Sequence, residues 1–441
     1  MESLIAVAEG GTLDEVLAEA MDAMGDDRDR RFLAELVRGT LQWQGRYDHL
    51  IGRFSRRVNV VRRAIRIVLR LGLHQLLACD RVPVYAAVDQ SVRLAREVGG
   101  AKTAPYVNGL LHAVARELAQ AGGNTDSLRA LFPDRNLDPV AHLAAWHSHP
   151  SWLIERWLDR YGPDGTERLC ACNNRRPPLA CHVLPPATTT AVAARLTASG
   201  LQVRTGGLTD RTLVLEDHPS RADLRAILAR EPSLIVQDEA VQAATGYLCA
   251  GIRGPALDAC AAPGGKTLRL RTALGDGAIL IAMDLDRARL TLVADAATRT
   301  GIGPDLLVSA DGRLAPFADR TFNTVLLDGP CSGTGVIRRH PEGRWRVGPD
   351  LLARSASRLY ELAREAFRVT RPGGQLLYAT CSLEPEENEG VVDKLRGEYP
   401  DLVPAPADGA ADTAWRRTWL PHRDGADGFF AARLRRREDR A

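Results

Sequence analysis

Lysine is almost absent from this chain: Lys102, Lys266 and Lys394 are the only three in 441 residues, so its basic surfaces are built of arginine. No apolar run reaches the roughly 18 residues that would span a bilayer. Met1 to Ala18 carries acids where a signal peptide would carry bases, which together with the missing span predicts a cytoplasmic protein. The eight cysteines form no dense, regular framework. Several fall inside apolar strand patterns and read as reduced thiols rather than disulfides. Cys170, Cys172, Cys181 and His182 lack the paired Cys-x2-Cys knuckles of a structural zinc site, so no metal is expected. No Gly-x-Gly-x-x-Gly follows the first strand of the carboxyl-terminal half, which argues against a dinucleotide dehydrogenase.

What is present divides into three parts. Apolar residues recur every three or four positions from about residue 12 to 122, as in Phe32, Leu33, Leu36, Val37 and Leu41, with breaks near Gly25, Pro83 and Gly99. That spacing predicts an all-helical bundle over residues 1–122. Residues 123–245 mix a helix following His147-Ser148-His149-Pro150 with short strand-like pieces at 179–183, 201–204 and 212–215, predicting a small α+β domain. From residue 246 to 441, strands and helices alternate, predicting a doubly wound, Rossmann-like α/β domain.

Net charge is only +3, which does not by itself mark a nucleic-acid binder. The distribution is uneven: Arg53, Arg56, Arg57, Arg62, Arg63, Arg66 and Arg70 fall in one stretch with no acid and suit phosphate neutralisation. Arg433, Arg435, Arg436 and Arg437 form a second cluster that reads as a solvated tail.

In doubly wound sheets, ligands sit beyond the carboxyl ends of the strands. Asp284, Asp311, Asp328, Cys331 and Cys381 all fall just past a predicted strand, which puts five chemically capable side chains at one crevice. The stretch Asp258-Ala259-Cys260-Ala261-Ala262-Pro263-Gly264-Gly265-Lys266-Thr267 breaks a strand into a glycine turn that opens a helix, the layout of a nucleotide-type cofactor loop. Gly265-Lys266-Thr267 also satisfies the end of a Walker A loop. Cys260 stands at that motif's first glycine, however, and Pro263 removes an amide from the phosphate nest. A P-loop NTPase would also leave the two cysteine motifs, Asp328-Gly329-Pro330-Cys331 and Thr380-Cys381-Ser382, without a role.

Asp258 to Thr267, Val325 to His340 and Tyr378 to Val392 resemble the S-adenosylmethionine-dependent RNA cytosine-C5 methyltransferases of the RsmB/Sun family. Leu71 to Val114 resembles the NusB-like amino-terminal domain of its bacterial 16S rRNA branch. The resemblance implies S-adenosyl-L-methionine as cofactor and RNA as partner, 16S rRNA foremost, with tRNA or a noncatalytic antitermination role as alternatives. A monomer is expected, with RNA held by the first two domains. By the same resemblance, Cys381 is the nucleophile and Cys331 assists release, while Asp328 and Lys266 face the base. Cys260, Ala261, Ala262, Pro263, Gly264, Gly265 and Lys266 form the cofactor loop, with Asp284 at the ribose, Asp311 at the adenine edge and Asp328 beside the cofactor. Ala180-Cys181-His182-Val183 and Val241 depart from the usual family pattern. Asn108 and His112 read as helix-surface or cap residues.

Overall fold

The computed structural model describes residues 1–55, 62–120, 122–217, 219–406 and 414–439. They form two compact units: Met1–Arg175 with Ile337–Arg346, and Arg176–Val336 with Val347–Ala441. No helix among the described residues is long and apolar enough to cross a membrane.

The first unit is helical. Glu2–Ala8, Leu13–Asp22, Asp27–Gln42, Gln44–Phe54, Arg63–Ala78, Val84–Gly99 and Ala104–Gln120 are its first helices; the breaks near Gly25, Pro83 and Gly99 fall where the sequence pattern broke, whereas the one at Trp43 was not expected. Ile65, Val68, Leu69 and Leu73 project from one helix and Val107, Leu110, Leu111 and Val114 from another into a shared core, the three-and-four spacing of a single buried stripe. Asn108 and His112 are exposed, consistent with surface chemistry. Of the arginine stretch, Arg56 and Arg57 lie outside the described residues. Arg70 is committed to a two-point ion pair with Asp48 at 2.8 and 2.6 Å, and Arg63 donates to the Ala8 carbonyl. Helix Ser151–Asn173 kinks at Gly162-Pro163.

The segment Ile337–Arg346 belongs to this helical unit although it follows the second unit's Cys331 loop in sequence. Arg344 is fully buried there and donates to the carbonyl of Ser148 at 2.9 Å, to Oδ1 of Asn174 at 2.8 Å and to the carbonyl of Asn173 at 3.3 Å. Burial pulls its pKa down to about 9. Arg346 donates to the carbonyls of Val7 and Gly11 at 2.7 and 2.5 Å, and Glu342 accepts from the Leu13 amide at 3.2 Å.

In the second unit, β1 (Leu179–Val183), β2 (Val203–Thr205), β3 (Thr212–Leu215) and β4 (Leu234–Val236) form an antiparallel sheet in the order β2-β3-β1-β4. The larger sheet contains β5 (Ala256–Asp258), β6 (Leu280–Asp284), β7 (Leu306–Ser309), β8 (Phe322–Asp328), β9 (Thr370–Thr380), β10 (Leu402–Pro404), β11 (Arg416–Trp419) and β12 (Phe429–Arg436). Its order is β10-β12-β9-β8-β5-β6-β7, with β11 paired to β12. Strands β5 to β9 run parallel, and β12 lies antiparallel against β9.

Alternate residues of the central strands feed two cores, as the pleat requires. Leu257, Val325, Leu327 and Leu376 meet Leu359, Leu362, Ala363 and Phe367 of helix Pro349–Val369. Ala256, Leu326, Leu377 and Ala379 meet Trp419, Phe429 and helix Glu239–Leu248 on the other face. A sheet covered on both faces needs apolar runs rather than strict alternation, which explains Val325-Leu326-Leu327. Arg433 is not part of a solvated tail: it is 3% exposed on β12 and donates to the carbonyls of Tyr247 and Ala250 at 2.7 Å each. Arg436 likewise pairs with Asp401 at 3.1 Å.

Candidate active site

Four of the candidate side chains are delivered by the carboxyl ends of strands. Asp258 ends β5, Asp284 ends β6, Asp328 ends β8, and Cys381 directly follows β9. Because β8 and β9 are neighbours, with Asp328 opposite Ala379, the register alone brings Asp328 close to Cys381.

The two cysteine loops meet. Cys331 Sγ and Cys381 Sγ are 3.2 Å apart, and both are free thiols. The Gly335 amide donates to the Cys381 carbonyl at 2.9 Å, and the Leu383 amide donates to Thr334 Oγ1 at 2.9 Å. This approach requires glycine at 335: a Cβ there would sit 2.3 Å from the Gly428 carbonyl oxygen and 2.7 Å from that of Cys381. The Cys331 thiol is pushed well above its ordinary pKa, chiefly by its hydrogen bond to Cys381, then by burial and by the charge of Cys381 and of Glu387.

Lys266 forms a short ion pair with Asp328 and lies 5.2 Å from the Phe429 ring centre. Burial works to lower the Lys266 pKa, but Asp328, Cys381 and Asp258 together carry it above the ordinary value. The site thus holds an ammonium fixed by Asp328 beside a thiol pair.

The loop after β5 runs from Cys260 to Gly264 and hands directly into helix Gly265–Leu274. Gly264 has a φ of 105°, and a Cβ on it would press within 3.1 Å of Val293. Thr267 donates to the buried Asp258 Oδ2 at 2.7 Å, while Asp258 Oδ1 has no protein partner. Burial raises the Asp258 carboxyl to about 7. Asp284 accepts from the amides of Ala262 and Asp286, both at 3.1 Å. One lone pair on each of its oxygens is thereby spent and others remain. Asp311 caps a short turn and is held by Arg313, with Nη2 2.7 Å from Oδ2. That ion pair and the Arg313 amide lower its pKa.

The structure brings Lys266, Asp328, Cys331 and Cys381 together and ties Asp284 to the loop, whereas the Asp311 carboxylate is engaged locally. Sequence reasoning missed Glu387, which lies two residues before helix Glu389–Glu398. Glu387 is fully buried and accepts from the Ser332 amide at 2.7 Å and from Ser332 Oγ at 2.5 Å, fixing the residue next to Cys331. Asn388 accepts from Thr380 Oγ1 and donates to the Ser382 carbonyl at 2.9 Å, bracing Cys381 from both sides. The signal available was an acid and an amide immediately before a helix that needs neither as its cap.

A parallel sheet closed by an antiparallel strand, with its charged and nucleophilic residues gathered at the strand ends beside a glycine-turn loop, defines a Rossmann-like methyltransferase. Family models agree part by part: 16S rRNA methyltransferase RsmB/F matches residues 253–435, NusB matches 2–116, and the RsmF/B ferredoxin-like domain matches 149–220. Ribosomal RNA small subunit methyltransferase B of Pseudomonas putida is 32% identical, with 98% of this chain and 96% of the relative covered. The Erwinia tasmaniensis protein of the same name is 31% identical over 97% and 95%. The crystal structure of PH0851 superposes with a TM-score of 0.77 at 25% identity, covering 98% of this chain and 97% of that one. The chain belongs to the RsmB/F family of RNA methyltransferases.

Proposed function

We propose that the protein methylates C5 of a cytosine in RNA, with 16S rRNA the favoured substrate, through a transient bond between Cys381 and C6 of the base. The observation that carries this reading is the pair of free thiols 3.2 Å apart beside the Lys266–Asp328 ion pair. Cytosine C5 is a poor nucleophile. Addition of the Cys381 thiolate to C6 converts the ring to an enamine, which makes C5 able to attack an electrophilic methyl. Asp328, oriented by Lys266, accepts from the N4 amino edge, and the pair offsets charge as the ring loses aromaticity. Once C5 carries the methyl, Cys331, acting as its thiolate 3.2 Å from the Cys381 sulfur, takes the C5 proton; the C5–H electron pair re-forms the C5=C6 double bond as the Cys381–C6 bond breaks and Cys381 leaves as a thiolate.

The residues present fit S-adenosylmethionine. The unpartnered, buried Asp258 Oδ1 and the remaining lone pairs of Asp284 suit hydrogen-bond donors, and the Cys260–Gly265 backbone suits the methionine end. When bound, the cofactor supplies the methyl as a sulfonium. Asp311 reaches the adenine edge in this reading only if Arg313 shares it. Residues 1–122 and 123–245 hold RNA in the same proposal, and 246–441 carry the chemistry.

The test is incubation of the full chain with S-adenosylmethionine and either 16S rRNA or tRNA, followed by bisulfite sequencing and nucleoside mass spectrometry. New 5-methylcytidine in 16S rRNA supports the reading; methylation of another atom, or of tRNA alone, overturns it.

A further inference from the structure

A cleft of about 310 Å³ in the second unit, lined by residues of β1, β11 and helices Glu239–Leu248 and Gly265–Leu274, carries charge that the protein itself leaves unbalanced. Arg211, Arg269 and Arg417 line it. Several other arginines of the chain are paired with acids: Arg70 with Asp48, Arg195 with Glu231, Arg271 with Asp305 and Arg368 with Glu365. None of the three in the cleft is ion-paired to a carboxylate among the described residues, and the one acid on the lining, Asp210, is exposed.

Two of them are also fixed in place. Arg269 donates through Nη1 to the Gln242 carbonyl at 2.6 Å, and Arg211 donates through Nη1 to the carbonyls of Val183 and Ala187 at 3.1 and 3.2 Å. Each keeps the remaining donors of its fork. Burial lowers the Arg269 pKa and Arg211 beside it lowers it further, while Cys249 works the other way. A half-buried guanidinium repelled by a second one is costly unless an anion completes the site.

The walls suit a nucleotide. Arg417 stacks over Trp419 at 4.7 Å, and the Trp419 indole N–H is buried without a protein partner. Gln242 Nε2 donates to the Gln237 carbonyl, so Gln242 Oε1 must accept from His182 Nδ1 at 3.0 Å and from Thr212 Oγ1 at 2.7 Å. That places a proton on His182 Nδ1, and burial together with the neighbouring Arg269 lowers the His182 pKa to about 3, so the ring adds no further charge. Fixed guanidinium forks with a partly exposed aromatic, Tyr247, on the lining are the chemistry that grips a phosphate and tolerates a base.

We propose that this cleft is a phosphate subsite for the RNA strand, in which Arg211, Arg269 and Arg417 hold a phosphodiester near the target cytosine. Arg269 lies about one helical turn beyond Lys266, so one residue of the subsite and one of the methyl-transfer site share a single helix. The inference rests on the RNA reading above and adds where the backbone is held.

The full chain is titrated with a fluorescein-labelled single-stranded oligocytidylate across a range of salt, as wild type and as Arg269→Gln/Arg417→Gln. Each phosphate contact in a single strand contributes roughly 0.7 to the slope of log affinity against log salt, so the double variant should flatten it by about 1.4. Calorimetric S-adenosylmethionine affinity should stay unchanged. If the double variant misfolds, shown by loss of cofactor binding, Arg417→Gln alone should lower the slope by about 0.7, and Arg417→Lys should restore it. An unchanged slope in a folded variant overturns the proposal. So does binding of inorganic phosphate or cytidine monophosphate that the variant loses while its RNA slope is unaltered, which would assign the cleft to a free anion. A wild type that shows the arginine-dependent slope yet methylates no cytosine leaves the subsite standing and removes only the chemistry proposed above.

Discussion

The Cys331 and Cys381 sulfurs lie 3.2 Å apart. That is well beyond the S–S bond of about 2.05 Å, and within reach of a thiol hydrogen bond from one to the other. The relationship makes the two cysteines separable by experiment. Cys381→Ala should abolish methyl transfer and give no denaturant-resistant RNA adduct. Cys331→Ala should still add to C6 and accept the methyl but release slowly, leaving a protein–RNA band on a denaturing gel. An adduct seen only in Cys381→Ala would reverse the two roles.

Glu387 should matter without touching substrate. It holds both the amide and the hydroxyl of Ser332, so Glu387→Gln turns one accepted hydrogen bond into a donor facing a donor and lets the Cys331 loop drift. A displacement of about 1 Å at reacting groups costs on the order of 100-fold in rate. The expected result is a comparable fall in kcat, accumulation of adduct, and no change in KM for S-adenosylmethionine. A parallel rise in that KM would instead place Glu387 in cofactor binding.

Asp258 predicts an unusual pH dependence of stability. Its folded pKa of about 7 lies above the roughly 3.9 of an exposed aspartate. The folded state therefore holds the proton more tightly, and the contribution is complete below about pH 4 and lost as pH rises through 7. Between those limits the loss is about 1.4 kcal/mol per pH unit for this group. Asp258→Asn should remove that component, which urea midpoints measured from pH 5 to 8 will show. A wild-type-like slope in the variant sinks the assignment.

Arg344→Ala should destabilise the helical unit by at least about 3 kcal/mol, because it strands two backbone carbonyls and the Asn174 side chain in the interior. Hydrogen exchange should show lost protection around residues 146–175. Retained protection there would show that solvent or neighbouring donors replace the guanidinium.

Much of this was legible in the sequence. The strand and helix alternation after residue 246 is present as expected, since each central strand needs apolar side chains on both faces. The motifs ending β8 and β9 announced the thiols because little else accounts for cysteine just past two buried strands. What stayed hidden depends on partners far away in the chain. Arg433 looks like its neighbours in a basic tail until β12 is known to run antiparallel against β9, which turns it toward the Tyr247 and Ala250 carbonyls. Glu387 sits among Glu384, Glu386 and Glu389, and only the fold distinguishes the one that faces Ser332. Asp311 was read as a ligand-facing acid, but Arg313, two residues on, takes its carboxylate, a local competition that strand-end logic does not weigh.

The placement of Ile337–Arg346 in the helical unit also sets an order of events during synthesis. A chain emerging from the ribosome amino end first has every helix of that unit through residue 175 available long before Arg344 exists. Until then the Ser148 and Asn173 carbonyls must be hydrated or otherwise occupied, and they are capped only after most of the second unit's strands have been made. The nascent amino-terminal bundle is thus an unfinished body, and its completion reports that translation has already passed the Cys331 loop.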